Sequence, residues 1–182
     1  MRAASPMIAG PLVFEPTAIE DERGFFLESW NARAFAAAGI ADTFVQDNHS
    51  RSRKGVLRGL HYQQPNAQGK LVRVTAGGIF DVAVDLRGSS ATCGQWVGAE
   101  LTAANHRMLW VPPGFAHGFL ALEDDTDVLY KCSAYYSPAD EHTLLWNDPQ
   151  IGIDWPLAAI GPVSLSKRDR AGVSFAEAVI FA

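Results

Sequence analysis

The chain has 182 residues, 48% of them hydrophobic and 19% charged, with a formal net charge of -5. That balance describes a folded chain with a sizeable core, and its acidic sign argues against a nucleic-acid partner. No run approaches the ~18 apolar residues of a membrane span, and the only cysteines, Cys93 and Cys132, make no disulfide framework and suit a reducing cytoplasm.

The opening stretch MRAASPMIAGPLVF carries one Arg and no long apolar region, which argues against a secretory leader. Ala32 to Ala38 predicts a short helix, with Asn31 as its N-cap and Gly39 as its terminator. From Gln46 to Gln63 (QDNHSRSRKGVLRGLHYQ) a polar, cationic run leads into an apolar stretch. Arg58 and His61 fall where that run enters buried structure, a cation to hold an anion beside an imidazole able to move a proton. Arg51, Arg53 and Lys54 read as a solvated loop. Arg58 and His61 are an odd number of residues apart, so a regular strand would point them to opposite faces. A bulge at Gly59 would bring both into one pocket.

Lys70–Thr75 predicts a strand, Ala76-Gly77-Gly78 a hairpin turn, and Ile79–Leu86 a second strand. In the latter, Phe80, Val82, Val84 and Leu86 share one face and Asp81 and Asp85 the other, the pattern of a half-buried strand. Trp96–Leu101, Met108–Val111, Gly118–Leu122 and Val128–Tyr136 are further strands. Turn signals separate them at Arg87-Gly88-Ser89-Ser90, Pro112-Pro113-Gly114 and Glu123-Asp124-Asp125. The stretch from Trp146 to Ser166 reads as an irregular wrap, and a second cationic cluster, Lys167, Arg168 and Arg170, follows it. Short strands with Gly/Pro turns predict an all-β sandwich, jelly roll or small barrel, as a single domain over residues 1–182.

His61 is the candidate general base. A catalytic imidazole needs a partner to set its tautomer, and Asp169, in LSKRDR, offers a carboxylate from the far end of the chain. Tyr130, on a face with Val128 and Cys132, is a candidate proton donor, and Lys70 a candidate stabiliser of an oxyanion. Each has a plainer alternative: a hydrogen-bonded core histidine, a core tyrosine, a lysine reaching for water. Pro112, Gly114 and His117 have the PxGxxH spacing of the second cupin motif. Metal-binding cupins supply an HxH pair earlier, where this chain has His61-Tyr62-Gln63, so the reading is a metal-free cupin. No GxGxxG loop marks a dinucleotide cofactor, and no cofactor is expected.

Taken together, several segments resemble one family. They are Asp21-Glu22-Arg23-Gly24-Phe25-Phe26-Leu27-Glu28, Gln46-Asp47-Asn48-His49-Ser50 and Gly55 through Gln63 (GVLRGLHYQ), then Lys70-Leu71-Val72-Arg73-Val74 and Asp81 through Arg87 (DVAVDLR). Pro112 through Phe119 (PPGFAHGF) and Trp146-Asn147-Asp148-Pro149 complete the set. The chain is similar to the dTDP-4-dehydrorhamnose 3,5-epimerase family from about Phe14 to Asp169. The resemblance implies a cupin-type double-stranded β-helix (jelly roll) with one or two short peripheral helices. It implies His61 as proton acceptor, Tyr130 as proton donor, Asp169 as the group orienting His61, and Lys70 near the sugar ketone. Arg23, Glu28, Gln46, Asp47, Asn48, Arg58, His117 and Glu141 would fall at substrate-binding positions, with Phe25 a candidate to stack on the thymine. Arg168 stands where the family has a lysine, keeping charge but changing geometry, and Cys93 where an aromatic is commoner. A homodimer sharing binding residues between subunits is implied, in the cytoplasm, acting on a dTDP-4-keto-6-deoxyhexose. Three alternatives stay open on sequence alone: an enzyme inverting only C3 or only C5, a metal-dependent cupin, and a non-catalytic sugar-nucleotide binder.

Overall fold

The computed structural model describes residues 2–4 and 8–182; Met1 and Ser5–Met7, part of the stretch read for a leader, lie outside them. Four short strands come first: β1 (Arg2–Ala4), β2 (Leu12–Glu15), β3 (Ala18–Asp21) and β4 (Gly24–Leu27). Helix α1 (Ala32–Ala37) follows, and then β5 (Gln46–Ser52) and β6 (Leu57–Gln63). The central strands are β7 (Lys70–Ala76), β8 (Gly78–Asp85), β9 (Trp96–Thr102), β10 (Met108–Val111), β11 (Phe115–Ala121) and β12 (Thr126–Cys132). A last strand, β13 (Glu141–Thr143), precedes a largely irregular C-terminal stretch that holds the one-turn helix α2 (Lys167–Arg170). Among the described residues no helix is long and apolar enough to cross a membrane.

The strands form two facing antiparallel sheets, ordered β1-β2-β10-β7-β12-β5 and β13-β6-β11-β8-β9, while β3 and β4 pair as a separate hairpin. This is the expected all-β jelly roll with two short helices at its periphery. One connection differs from expectation. Ala76-Gly77-Gly78 is no hairpin turn, because β7 pairs with β10 and β12 whereas β8 pairs with β11 and β9. The chain changes sheet there. Gly77, at φ +69, makes the corner against Thr126, where an added Cβ would lie 2.3 Å from the hydroxyl oxygen.

Apolar residues fill three layers. Val72, Val74, Ile79, Ala83, Leu109, Phe119 and Val128 meet between the sheets. Leu57, Leu60, Val82, Val84, Leu86 and Leu120 face the other way, beneath Ile151 and Trp155 of the wrap. Phe14, Leu71, Met108 and Trp110 cover the outer face of the first sheet with Phe35 of α1. The strand expected to be half-buried is therefore buried on both sides, with Asp81 and Asp85 fully enclosed. Alternation in β8 reports two covered faces rather than solvent, the acids of one being bonded by His117 and by the turn at Arg87.

Boundaries moved for similar reasons. The strand expected at Gly118–Leu122 begins at Phe115, and that expected at Val128–Tyr136 ends at Cys132. Gln46–Ser52 is a strand rather than a loop, and Arg51 on it pairs with Asp127 of β12 at 2.6 Å. Arg53 and Lys54 are exposed beyond its end. Helix α1 starts as expected: the Asn31 side chain accepts from the backbone N–H groups of Arg33 and Ala34 at 3.0 and 3.2 Å.

The expected turn after β8 is built around Asp85. Its carboxylate accepts from Arg87 N and Nε at 2.9 Å, and from Arg87 Nη2, Ser90 Oγ and Thr92 Oγ1 at 2.7 Å. Burial alone would raise this carboxyl, but those bonds outweigh it and hold the pKa at about 2. A depressed carboxylate adds stability that is complete above its ordinary value and lost as pH falls through the folded one. Asp85→Asn is expected to cost about 2–4 kcal/mol at pH 7. In urea unfolding, the gap between the two proteins should narrow from about pH 4 down to about pH 2.

Candidate active site

At one end of the sandwich the apolar interlayer gives way to a polar cavity of about 540 Å³, joined to a smaller compartment of about 280 Å³. One sheet contributes Lys70 from β7, Tyr130 from β12, and Gln46, Asn48 and Ser50 from β5. The facing sheet contributes Arg58 and His61 from β6, His117 and Phe119 from β11, and Glu141 from β13. Helix α2 closes one side with Arg168 and Asp169.

Arg58 and His61 share the cavity because β6 is bulged. His117 pairs with His61 and Phe119 with Arg58, so Gly59 and Leu60 together oppose Gly118. Gly59 sits at φ +118, and an added Cβ would fall 2.5 Å from the Gly118 Cα. No other residue fits that crossing. The bulge anticipated at Gly59 is present.

Asp169 Oδ1 lies 2.7 Å from His61 Nε2. Ser166 caps α2 by accepting from Asp169 N at 3.1 Å, and its hydroxyl donates to Asp169 Oδ2 at 2.6 Å. Burial would raise the Asp169 carboxyl; the bonds from His61 and Ser166, helped by the Gly59 amide, instead hold it at about 2. An ionised carboxylate only accepts, so His61 Nε2 carries the hydrogen and the neutral ring keeps its lone pair on Nδ1. That is the tautomer of a base.

His117 is arranged in parallel. Its Nε2 lies 2.7 Å from Asp81 Oδ1, both groups are buried, and Asp81 Oδ2 has no hydrogen-bond partner among the described residues. Lys70 is buried at the floor, and no hydrogen bond or ion pair to its ammonium occurs among the described residues. Burial lowers its pKa, only partly opposed by Cys132, Glu141 and Asp81. Burial raises the phenol of Tyr130, so this group keeps its proton at neutral pH.

At the mouth, the Tyr136 hydroxyl donates to Glu141 Oε2 at 2.6 Å, and Arg168 bonds the same carboxylate. The bond that Arg168 donates to the Tyr136 hydroxyl and the charge of Glu141 raise the Arg168 pKa. Arg58 donates through Nε to Ser52 Oγ at 3.1 Å and through Nη2 to the Arg51 carbonyl at 3.2 Å. Gln46 and Asn48 are joined at 3.0 Å, and Asn48 donates to Cys132 Sγ at 3.5 Å.

Four expected site residues lie elsewhere. Asp47 is on the opposite face of β5 from Gln46 and Asn48, paired with Lys131 at 2.9 Å. Strand parity puts it there. Arg23 and Phe25 belong to the exposed β3–β4 hairpin, Arg23 bonded to Asp21 and Phe25 packed at a tilt against His106 with ring centroids 4.6 Å apart. Glu28 is exposed and accepts from Asn31 at 3.0 Å. Conversely, Asp81, Ser50, Tyr136 and Ser166 were not singled out from sequence. An acid on the inward face of an otherwise apolar strand was the available signal for Asp81; the others stand among ordinary polar residues.

A family model described as dTDP-4-dehydrorhamnose 3,5-epimerase matches residues 5–177. The chain is 54% identical over 182 residues to the dTDP-4-dehydrorhamnose 3,5-epimerase of Pseudomonas aeruginosa, covering 100% of this chain and 99% of that protein. Its identity to the Salmonella typhimurium protein of the same name is 53% over 171 residues, covering 93% and 92%. A crystal structure of dTDP-6-deoxy-D-glucose-3,5-epimerase from Legionella pneumophila Philadelphia 1, in complex with dTDP-4-keto-L-rhamnose, superposes with a TM-score of 0.93. That pair is 49% identical and aligns over 97% of this chain and 93% of the other.

An enclosed cation without a partner among the described residues costs the fold stability that an apolar side chain would restore. Lys70→Met is therefore expected to raise unfolding stability by about 1–4 kcal/mol. Turnover of a 4-keto sugar nucleotide should fall about 10²–10³-fold. Thermal melting and steady-state kinetics on one preparation measure both.

Proposed function

The chain belongs to the dTDP-4-dehydrorhamnose 3,5-epimerase family, and from that premise we propose how its cavity works. The enzyme is a cofactor-independent isomerase. It epimerises C3 and C5 of dTDP-4-dehydro-6-deoxy-D-glucose to give dTDP-4-dehydro-L-rhamnose. The carrying observation is His61 on one sheet, bonded at 2.7 Å to Asp169 of α2, with Tyr130 and Lys70 on the sheet that faces His61.

The C–H bonds on both carbons beside the C4 ketone are acidic. His61 Nδ1 takes a proton from one face of the ring, and the bonding pair moves into an enolate with its charge on the C4 oxygen. Asp169 stabilises the imidazolium that forms. Lys70 donates to the enolate oxygen from a site with little water, where such a bond is worth most. Tyr130 then delivers a proton to carbon from the opposite face, and the centre is inverted. Its raised pKa keeps the donor protonated until that moment. Arg58 and Arg168 are placed to hold the diphosphate, with Gln46, Asn48 and Glu141 completing the wall.

The enzyme works as a homodimer. Ile19, Phe25 and Phe26 expose 64%, 60% and 70% of their surface on the β3–β4 hairpin, more apolar area than a short free hairpin supports. Docked on a second copy, the hairpin would carry Arg23 and Phe25 to the partner's cavity. We place this single-domain enzyme in the cytoplasm, where its unpaired thiols Cys93 and Cys132 stay reduced.

Turnover in heavy water is expected to place deuterium at both C3 and C5. His61→Ala should abolish the exchange. Tyr130→Phe should keep it while inversion falls by about 10²-fold or more, because His61 returns deuterium to the face it came from. Deuterium at one carbon only would mean a single-centre enzyme. Subunit sharing has its own test. Arg23→Ala and His61→Ala proteins, each impaired, should recover about a quarter of wild-type activity when mixed and re-equilibrated, since half the sites in half the dimers are intact.

A further inference from the structure

Trp146-Asn147-Asp148-Pro149 has no part in the chemistry above, yet Asp148 is buried and its carboxylate is fully engaged. Oδ1 accepts from the backbone N–H groups of Gln150 and Ile151 at 2.9 and 3.1 Å, closing the local turn. Oδ2 reaches across the chain to accept from Phe175 N at 2.9 Å. Phe175 lies just beyond α2, the helix that carries Asp169.

A helix of one turn has no stability of its own, so α2 depends on what holds its flanks. Upstream, Ser164 is fastened to the start of β6: Leu57 N donates to its carbonyl at 3.0 Å, and its own N–H donates to the Gly55 carbonyl at 2.8 Å. Downstream, Val173 bridges to the end of β13 and the residues after it, its N–H donating to the Thr143 carbonyl at 2.9 Å and its carbonyl accepting from Leu145 N at 2.8 Å. Thr143 is also the register partner of His61, and Leu144 exchanges hydrogen bonds with Leu60. Both halves of the His–Asp pair are thus referenced to one stretch, Thr143–Leu145. Asp148 locks the downstream tether three residues on.

We infer that Asp148 is a positioning residue for proton transfer, clasping the segment after α2 so that Asp169 stays within bonding distance of His61. The inference rests on the reading of His61 and Asp169 as the catalytic pair. Asp148→Asn separates the clasp from the turn. The Asn oxygen can still close the turn, but its NH₂ meets the Phe175 N–H donor against donor. Gly172→Ala attacks the same tether from the other side, since the added Cβ would lie 2.9 Å from Leu145 N. Ile40→Ala, in the outer layer beneath α1, supplies a destabilised control remote from the cavity.

The test follows turnover together with the downfield ring-proton resonance of His61 Nε2, well below each variant's melting temperature. Asp148→Asn and Gly172→Ala are expected to lower kcat by about 10²-fold and to broaden or shift that resonance. Ile40→Ala should keep both near wild type. If either clasp variant keeps wild-type kcat and an unaltered resonance, the proposal is overturned. A wild type without turnover whose resonance is still lost in Asp148→Asn would uphold the clasp and sink the activity instead.

Discussion

One extra residue in β6, opposite Gly118, decides which side chains look into the sandwich. Without it His61 would share a face with Leu57 and Gly59, and Arg58 would face the other way. The bulge needs two strands to approach more closely than any side chain allows, and Gly59 and Gly118 make that room on each other's behalf. A Cβ on Gly118 would lie 2.7 Å from the Arg58 carbonyl oxygen, the counterpart of the clash at Gly59. Cation and imidazole reach one cavity through this contact.

The cavity is then a matter of how enclosed charge is compensated. Asp169 and Asp85 are both buried carboxylates held at about 2, each surrounded by enough donors to outweigh the cost of burial. Asp85 does this for architecture, fixing a turn. Asp169 does it for chemistry, fixing which nitrogen of His61 carries a hydrogen. Lys70 is the contrasting case, buried without a partner among the described residues, and a substrate oxygen that becomes anionic is the natural complement. The fold tolerates this because the rest of the interlayer is apolar and closely packed.

Outer layers matter as much as the sheets. Helix α1 and its aromatic neighbours cover one face of the sandwich, and the wrap after Leu144 covers the other. The wrap does more than bury Leu57, Leu60 and Val84. It returns the chain to β6 and delivers Asp169 from more than a hundred residues away, so packing on the outside sets geometry on the inside.

Much of this could be read from the residues. The alternation in β8, the cap at Asn31, the turn after β8, the wrap, and the need for a bulge at Gly59 all follow from local sterics and periodicity, and the combined motifs pointed to the family. β5 was hidden because its inward residues, Gln46, Asn48 and Ser50, are as polar as its outward ones; a strand lining a polar cavity has no hydrophobic period. The crossing at Gly77 looked like a hairpin because local turn chemistry does not record which sheet the next strand joins. Asp169 was named from sequence, but its bond to His61 depends on a tether that only the folded chain assembles. Composition and spacing determined which groups are present and how strands alternate, because those are properties of neighbours along the chain. Tertiary structure decided which faces are buried, that Asp47 looks outward, and that Arg23, Phe25 and Glu28 stand away from their own cavity, because each depends on partners distant in sequence.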